Sequence, residues 1–240
     1  DPRAYLTALA AYVGNHPKGE IRQGIGVVDA TADGAGVSVT LGDGARLHAG
    51  RAVIANGWEA YDLLARMGGG RGVAVGGRRV TGRGVKGQAV LIDIAHDDDL
   101  PILYDSGSYV VPQGAGMGAD ATGRASRIAV GSTSTDAWLD DGVAMDGSAL
   151  EAARTGCDPA DTGFLDHAVT FCPALSGAPI AESWANIRPR NTIADAITGK
   201  IGTEPATGPV DGTDRIRLAV GGFKIGFGIA HLSGAHAIGL

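Results

Sequence analysis

An α/β fold is predicted, and three observations predict it. Segments that alternate or run apolar at strand length are interleaved with segments of helical period. The 40 glycines are far above ordinary usage and scattered without a period, so tight turns and close backbone approaches join many short elements. A chain of 240 residues is long enough to bury a substantial core, as one large domain or two small ones.

In chain order, Pro2 to Val13 reads as an amphipathic helix. Asp1 is placed to cap it, Pro2 suits its first turn, and Tyr5, Leu6, Leu9 and Val13 share a face. Ile21 to Thr31 is strand-like. Val37-Ser38-Val39-Thr40-Leu41 alternates, and the Gly42-Asp43-Gly44 turn leads into Ala45 to His48, which predicts a hairpin. Arg51 to Asn56 is a short apolar strand ending at Gly57, and Glu59 to Met67 is helical. Gly68 to Gly87 reads as basic, glycine-rich loop. Strands follow over Gln88 to Ala95, Ser108 to Pro112 and Arg127 to Ser132, then helices over Ser148 to Gly156 and Thr162 to Phe171. Trp184 to Pro189 is extended, since a residue before proline is pushed from helical angles. Ile216 to Val220 is a strand, Gly221 to Gly228 a glycine turn, and Ile229 to Ile238 a helix.

A net charge of −6 without a basic stripe argues against a nucleic-acid partner. Asp97-Asp98-Asp99 reads as a solvated turn. Cys157 and Cys172 make neither a metal-ligand spacing nor a CxxC, and two reduced thiols are expected. The six histidines are dispersed, so no metal is expected. No apolar run reaches the length of a membrane span and no signal peptide opens the chain, so a soluble cytoplasmic protein is expected. Trp58 and Trp184 are expected in the core rather than at a site.

Gly82, Gly84 and Gly87 spell GxGxxG. That fingerprint carries meaning only between a strand and a helix whose N-terminus receives a pyrophosphate. Here the stretch that follows, Gln88 to Ile94, is strand-like, so the match is read as a decoy.

Five blocks remain. They are Asp1-Pro2-Arg3-Ala4-Tyr5-Leu6; Val53-Ile54-Ala55-Asn56-Gly57-Trp58; Val85-Lys86-Gly87-Gln88; Tyr109-Val110-Val111-Pro112 with Val130-Gly131-Ser132-Thr133; and Trp184 to Pro189 with Gly221 to Gly226. In order and spacing they resemble the D-amino-acid oxidase and glycine oxidase superfamily of FAD-dependent oxidoreductases, with its VVxAxGxW, (R/K)GQ, YxxP…xGxT, WAGxRP and GHxxxG blocks. Asn186 stands where that family usually has glycine, Asn56 where it has alanine or threonine, and Gly222 where many members have histidine. Arg190-Asn191-Thr192 replaces small residues. The N-terminal ADP-binding βαβ segment of the family is not among these residues.

The resemblance implies an α+β substrate sheet joined to a partial Rossmann-like FAD-binding domain. Residues 1–72 would form part of the FAD-binding domain, 73–182 the substrate-binding domain with a large mixed or antiparallel sheet, and 183–240 the return to the FAD-binding domain. It implies non-covalent FAD and oxidation of the C–N bond of an amino acid or small amine, by hydride transfer to flavin. Oxygen or another acceptor takes the electrons, and homo-oligomer formation is left open. The alternatives are a flavin-free remnant or binding module of the same fold, or a tRNA-modification oxidase module.

Such chemistry needs a cation for a substrate carboxylate. Arg188 is the first candidate, because guanidinium presents paired donors that match a carboxylate. Arg190, two residues along an extended segment, would point to the same side. Tyr109 and Tyr104, framing a turn-like Asp105 to Ser108, are the candidate hydroxyl donors. Gly222, Phe223, Lys224, Ile225, Gly226, Phe227 and Gly228 are the expected flavin contacts, at a turn whose following helix would aim N–H groups at the flavin. Val27 and Val28 resemble the strand that reads adenine, and Ala55 and Gly57 the approach to the pyrophosphate.

Overall fold

The structure is a computed structural model. It describes residues 2–97, 99–114, 123, 126–136, 147–158, 163–195 and 197–240. Asp1, Asp98 and Thr162 lie outside the described residues. The elements in order are α1 (Pro2–Asn15), β1 (Val27–Ala32), β2 (Val37–Leu41), β3 (Arg46–Ala49), β4 (Ala52–Ile54), α2 (Ala60–Met67), β5 (Val73–Val75) and β6 (Arg78–Asp93). There follow β7 (Leu103–Asp105), β8 (Ser108–Gln113), β9 (Arg127–Gly131), α3 (Gly147–Thr155), α4 (Gly163–Phe171), β10 (Ile180–Asp195), β11 (Ile201–Gly202), β12 (Ala206–Pro209), β13 (Ile216–Val220) and α5 (Gly226–Ile238). The fold is thus mixed α/β. The chain forms two compact units, one of Asp1–Ile21 with Lys86–Asn186 and the other of Arg22–Val85 with Ile187–Leu240.

In the first unit the second half of β6 pairs antiparallel with β9, β9 with β8, and β8 with β7. Residues two apart on a strand share a face, so Val90 and Ile92, Ile128 and Val130, and Val110 build one apolar layer. Against it pack Phe164 and Ala168 of α4, with Cys172 and Leu175. Gln88 is a buried polar residue whose side-chain amide is bonded at both its nitrogen and its oxygen. Its Nε2 donates to the Asp158 carbonyl and its Oε1 accepts from the Asp158 N–H, each at 2.9 Å. The Lys86 ammonium donates to the Ala153 carbonyl at 2.6 Å, near the end of α3. The Lys86-Gly87-Gln88 block therefore clamps the segment after α3 to the sheet. Asn186 accepts from the Arg154 guanidinium at 3.1 Å, which gives the residue standing in place of glycine a structural partner.

In the second unit β1, β2 and β3 form an antiparallel meander, as the hairpin signal predicts. A second small sheet has the order β12-β13-β4, with β13 and β4 parallel. Its core gathers Ile54, Leu63, Leu64, Val80, Ile193 and Leu218.

Four sequence expectations need correction. Gly68 to Gly87 is not all loop: β5 and the first half of β6 run through it. Gly82 is needed for packing, because a Cβ there would come within 2.3 Å of the Tyr61 ring and 2.5 Å of the Arg190 carbonyl. The GxGxxG match thus lies wholly inside a strand. The strand expected from Ile21 begins only at Val27, after Gly24 turns with φ +77°. Helix α1 forms, but Leu6, Leu9 and Val13 on its apolar face are exposed, since periodicity sets a face and only a neighbouring element buries it. Trp58 and Trp184 are half-buried rather than core. Cys157 and Cys172 are not bonded to each other. Among the described residues no helix is long and apolar enough to cross a membrane.

Candidate active site

Strand β10 stays extended through Arg188-Pro189-Arg190, so the two guanidinium groups project from the same side. Both reach the ring of Phe223: the Arg188 Cζ lies 5.3 Å and the Arg190 Cζ 4.5 Å from its centroid. Those separations are within cation–π range, where the ring face attracts a positive group. The Phe223 N–H donates to the Pro189 carbonyl at 3.1 Å, which fixes the ring beside the arginines.

The turn that delivers Phe223 is tight. Gly221 has φ +83° and Phe223 itself φ +39°. A left-handed conformation at a residue with a side chain costs about 1 kcal/mol, so surrounding contacts must hold it. The Ile225 N–H closes the turn on the Gly222 carbonyl at 2.9 Å. A Cβ on Gly222 would lie 2.5 Å from the Gly226 Cα, so only glycine permits this closure. Helix α5 starts at Gly226, not Ile229, which moves Gly226, Phe227 and Gly228 from the expected loop into the first helical turn. Its first i to i−4 bond is Ile229 N–H to Ile225 O at 3.2 Å. The Gly226 and Gly228 N–H groups lie ahead of that bond, at the partly positive end of the helix.

Lys224 adds a third cation. Partial burial of its ammonium, then the charges of Arg188 and Arg190, lower its pKa from the usual lysine range.

Beside the turn lies a cleft of about 340 Å³. Of the expected residues, Ala55, Gly57, Gly222, Phe223 and Gly226 line it. Val27, Val28, Lys224, Ile225, Phe227 and Gly228 do not. Val27 and Val28 are partly exposed at the start of β1, where the pairing with β2 is irregular between Val27 and Asp29. Sequence reading missed Ile229, Ala230, Ser233 and Gly234, which line the cleft from α5, Pro189 from β10, and Pro205 from the connection just before β12. The signal was present: with Gly226 these α5 residues sit at i, i+3, i+4, i+7 and i+8, one helical face of mostly small side chains.

Tyr104 and Tyr109 belong to the first unit, where β7 and β8 pair them directly across the hairpin. Tyr104 is 71% exposed. Tyr109 is half-buried, and a Cβ on Gly131 would come 2.6 Å from its hydroxyl, so that glycine makes room for the phenol. His167 Nε2 lies 2.7 Å from Asp105 Oδ2, which ties α4 to the hairpin carrying both tyrosines. No group of side chains suited to hold a metal ion occurs among the described residues.

Several solved structures share the fold. Glycine oxidase from Geobacillus kaustophilus is 21% identical with a TM-score of 0.67, and the match covers 96% of this chain and 51% of that one. Glycine oxidase from Bacillus cereus ATCC 14579 is 18% identical with a TM-score of 0.66, covering 92% and 50%. L-proline dehydrogenase from P. horikoshii is 16% identical with a TM-score of 0.67, covering 99% and 54%. The chain therefore spans about half the length of these proteins. No curated protein matches it. The model of the FAD dependent oxidoreductase family matches residues 1–240, and the chain belongs to that family, whose cofactor is FAD.

Proposed function

We propose that the protein oxidises the C–N bond of an amino acid or small amine, the bound FAD supplying the hydride acceptor. The observation that carries this reading is the pairing of Arg188 and Arg190 over Phe223, because Phe223 also lines the cleft beside the start of α5.

The cleft suits part of such a cofactor. A Cβ built on Gly57, Gly226 or Gly234 would meet nothing within 4 Å, so the space before these glycines is open to a flat or phosphate-bearing group. About 340 Å³ is at the small end for a ligand pocket. In this reading the segment Gly222 to Gly228 would hold the flavin part of the cofactor, and the N–H groups opening α5 would offer it hydrogen-bond donors. Ala55 and Gly57 would hold the phosphates, and Val27 and Val28 the adenine. The unit that contains the cleft is the flavin side, and the β6-β9-β8-β7 sheet belongs to the substrate side. FAD is held without a covalent bond.

Arg188 holds the substrate carboxylate through two parallel N–H donors. That fixes the reacting carbon in one orientation and keeps the amine end clear of the cations. Tyr109 and Tyr104 are assigned by their chemistry, and by the family resemblance, as hydroxyl donors to the substrate.

The test is reconstitution of the chain with FAD, followed by an anaerobic panel of amino acids and amines. A yellow complex whose visible band bleaches with an amino acid, and not with the matching acid lacking nitrogen, is expected. A complex that no amine or amino acid bleaches overturns the reading, and so does a chain that takes up no FAD.

A further inference from the structure

We infer that Gly131 is a positioning residue for the substrate: it lets the Tyr109 phenol lie down across the sheet, and so sets where the Tyr109 hydroxyl meets the substrate. This deepens the proposed function and rests on its assignment of Tyr109 as a donor.

Four strands of the first unit each place one residue in a single row. Tyr104 of β7 stands directly opposite Tyr109 of β8, Tyr109 opposite Gly131 of β9, and Gly131 opposite Ala89 of β6. Side chains on a strand ordinarily stand roughly perpendicular to the sheet. The Tyr109 ring does not. A Cβ on Gly131 would fall 2.6 Å from its hydroxyl oxygen and 2.8 Å from its Cζ. The far end of the phenol therefore lies over the neighbouring strand, in the space that a side chain at position 131 would fill. The same Cβ would come 2.9 Å from the Ala89 Cβ, so a small residue on the next strand borders that space. Tyr104 occupies the other side of the row, which leaves β9 as the direction in which the ring can lie.

Among the described residues the Tyr109 hydroxyl has no hydrogen-bond partner, whereas the Tyr61 hydroxyl donates to Asn191. The Tyr109 donor is thus available to a ligand. The hairpin that carries it is held in place. Ser106 and Gly107 turn with φ +46° and +93°, both positive as a tight two-residue hairpin turn requires. His167 Nε2 lies 2.7 Å from Asp105 Oδ2, and Phe171 meets the His167 ring edge-on with centroids 5.5 Å apart. With the backbone fixed, the tilt of the ring decides where the hydroxyl sits, and residue 131 sets that tilt. Glycine weakens a strand and often marks a close approach. Here Gly131 is paired on both sides, and what approaches it is the phenol. Alanine at 131 would lift the ring toward the perpendicular and carry the hydroxyl away from the sheet.

The test reads the concentration for half-maximal anaerobic bleaching of the FAD-loaded chain, and the probe is the panel amino acid that bleaches it at the lowest concentration. Tyr109→Phe and Gly131→Ala are each expected to raise that concentration about fivefold, the loss of one hydrogen bond. The double variant should be no worse than Tyr109→Phe alone, because the hydroxyl that Gly131 places is already gone. An unchanged concentration in folded Gly131→Ala overturns the inference, and so does a double variant in which the two effects multiply. Where Gly131→Ala does not fold, the parent decides: nuclear Overhauser cross-peaks between the Tyr109 ring protons and the Gly131 α-protons are expected, and their absence overturns the inference. If Tyr109→Phe leaves the concentration unchanged while amino acids still bleach the flavin, this inference falls and the proposed function stands. If no amino acid or amine bleaches the flavin, both fall.

Discussion

The Tyr61 hydroxyl donates a 2.9 Å hydrogen bond to Oδ1 of Asn191, a side chain with no exposed surface. The Asn191 Nδ2 donates in turn to the Glu204 carbonyl at 2.7 Å and the Val220 carbonyl at 3.3 Å. One amide thus links α2, β10, the end of β13 and the chain entering β12. It also packs against Gly221, where a Cβ would fall 2.0 Å from Nδ2. Burial raises the Tyr61 phenol pKa, so its proton stays in place as the donor. Asn191 directly follows Arg190 in β10, and its partner Val220 lies three residues before Phe223.

Replacing Asn191 with alanine should therefore be costly. It strands the Tyr61 hydroxyl and the buried Val220 carbonyl, removes the part-buried bond to the Glu204 carbonyl and leaves a small void, a loss of about 3 kcal/mol. Tyr61→Phe removes a single bond and should cost about 1 kcal/mol. Urea unfolding measures both. A loss at Asn191 no larger than about 0.5 kcal/mol, the level of a neutral surface change, would show that the network carries no weight.

Gly82→Ala tests whether the glycine fingerprint is structural. The added methyl would meet the Tyr61 ring and the Arg190 carbonyl, both inside van der Waals distance. Overpacking of this kind costs about 1–3 kcal/mol. The expected outcome is a lower thermal midpoint, with FAD affinity of the folded fraction little changed. A specific loss of FAD binding at unchanged stability would return Gly82 to a cofactor role.

The same residues show how much the sequence could reveal. Alternation was enough to place the β2–β3 hairpin, and apolar runs with turn signals gave β8, β9 and β13 to within a residue. The first half of β6 was not legible, because Gly82, which reads as loop, is there to admit Tyr61 from α2, a contact 21 positions away in sequence that no local pattern encodes. For the candidate site, strand geometry was sufficient to put Arg188 and Arg190 on one side. That Phe223 lies beneath both depends on a turn with φ +39° at a phenylalanine, which propensity argues against. Asn191 reads as a polar strand residue, and only its burial makes it the hub.

Arg188→Leu should separate substrate binding from flavin binding. Leucine keeps a hydrophobic body against Phe223 and removes every donor. Flavin absorbance should persist while the substrate concentration for half-maximal bleaching rises at least about tenfold, the loss expected for a charge-assisted bidentate contact. Unchanged bleaching at low substrate would remove Arg188 from the site.

Lys224 gives a dependence on pH whose sign follows from its lowered pKa. Burial and the two arginines disfavour its ammonium, so that charge is lost below the ordinary lysine value of 10.5. A bound anion favours the ammonium, so anion affinity is full below the lowered pKa and declines as pH rises through it. Folding has the opposite slope. The unfolded chain holds this proton more tightly, so stability rises slightly as pH climbs from the lowered value toward 10.5. Titrations of the FAD-loaded chain with succinate, a carboxylate probe for the proposed Arg188 site, should show a decline of about two- to fivefold across this alkaline range. In Lys224→Gln the decline should flatten, with affinity already reduced at neutral pH. A variant whose affinity falls over the same range as the parent's would assign the titration to another group and leave Lys224 outside the anion site.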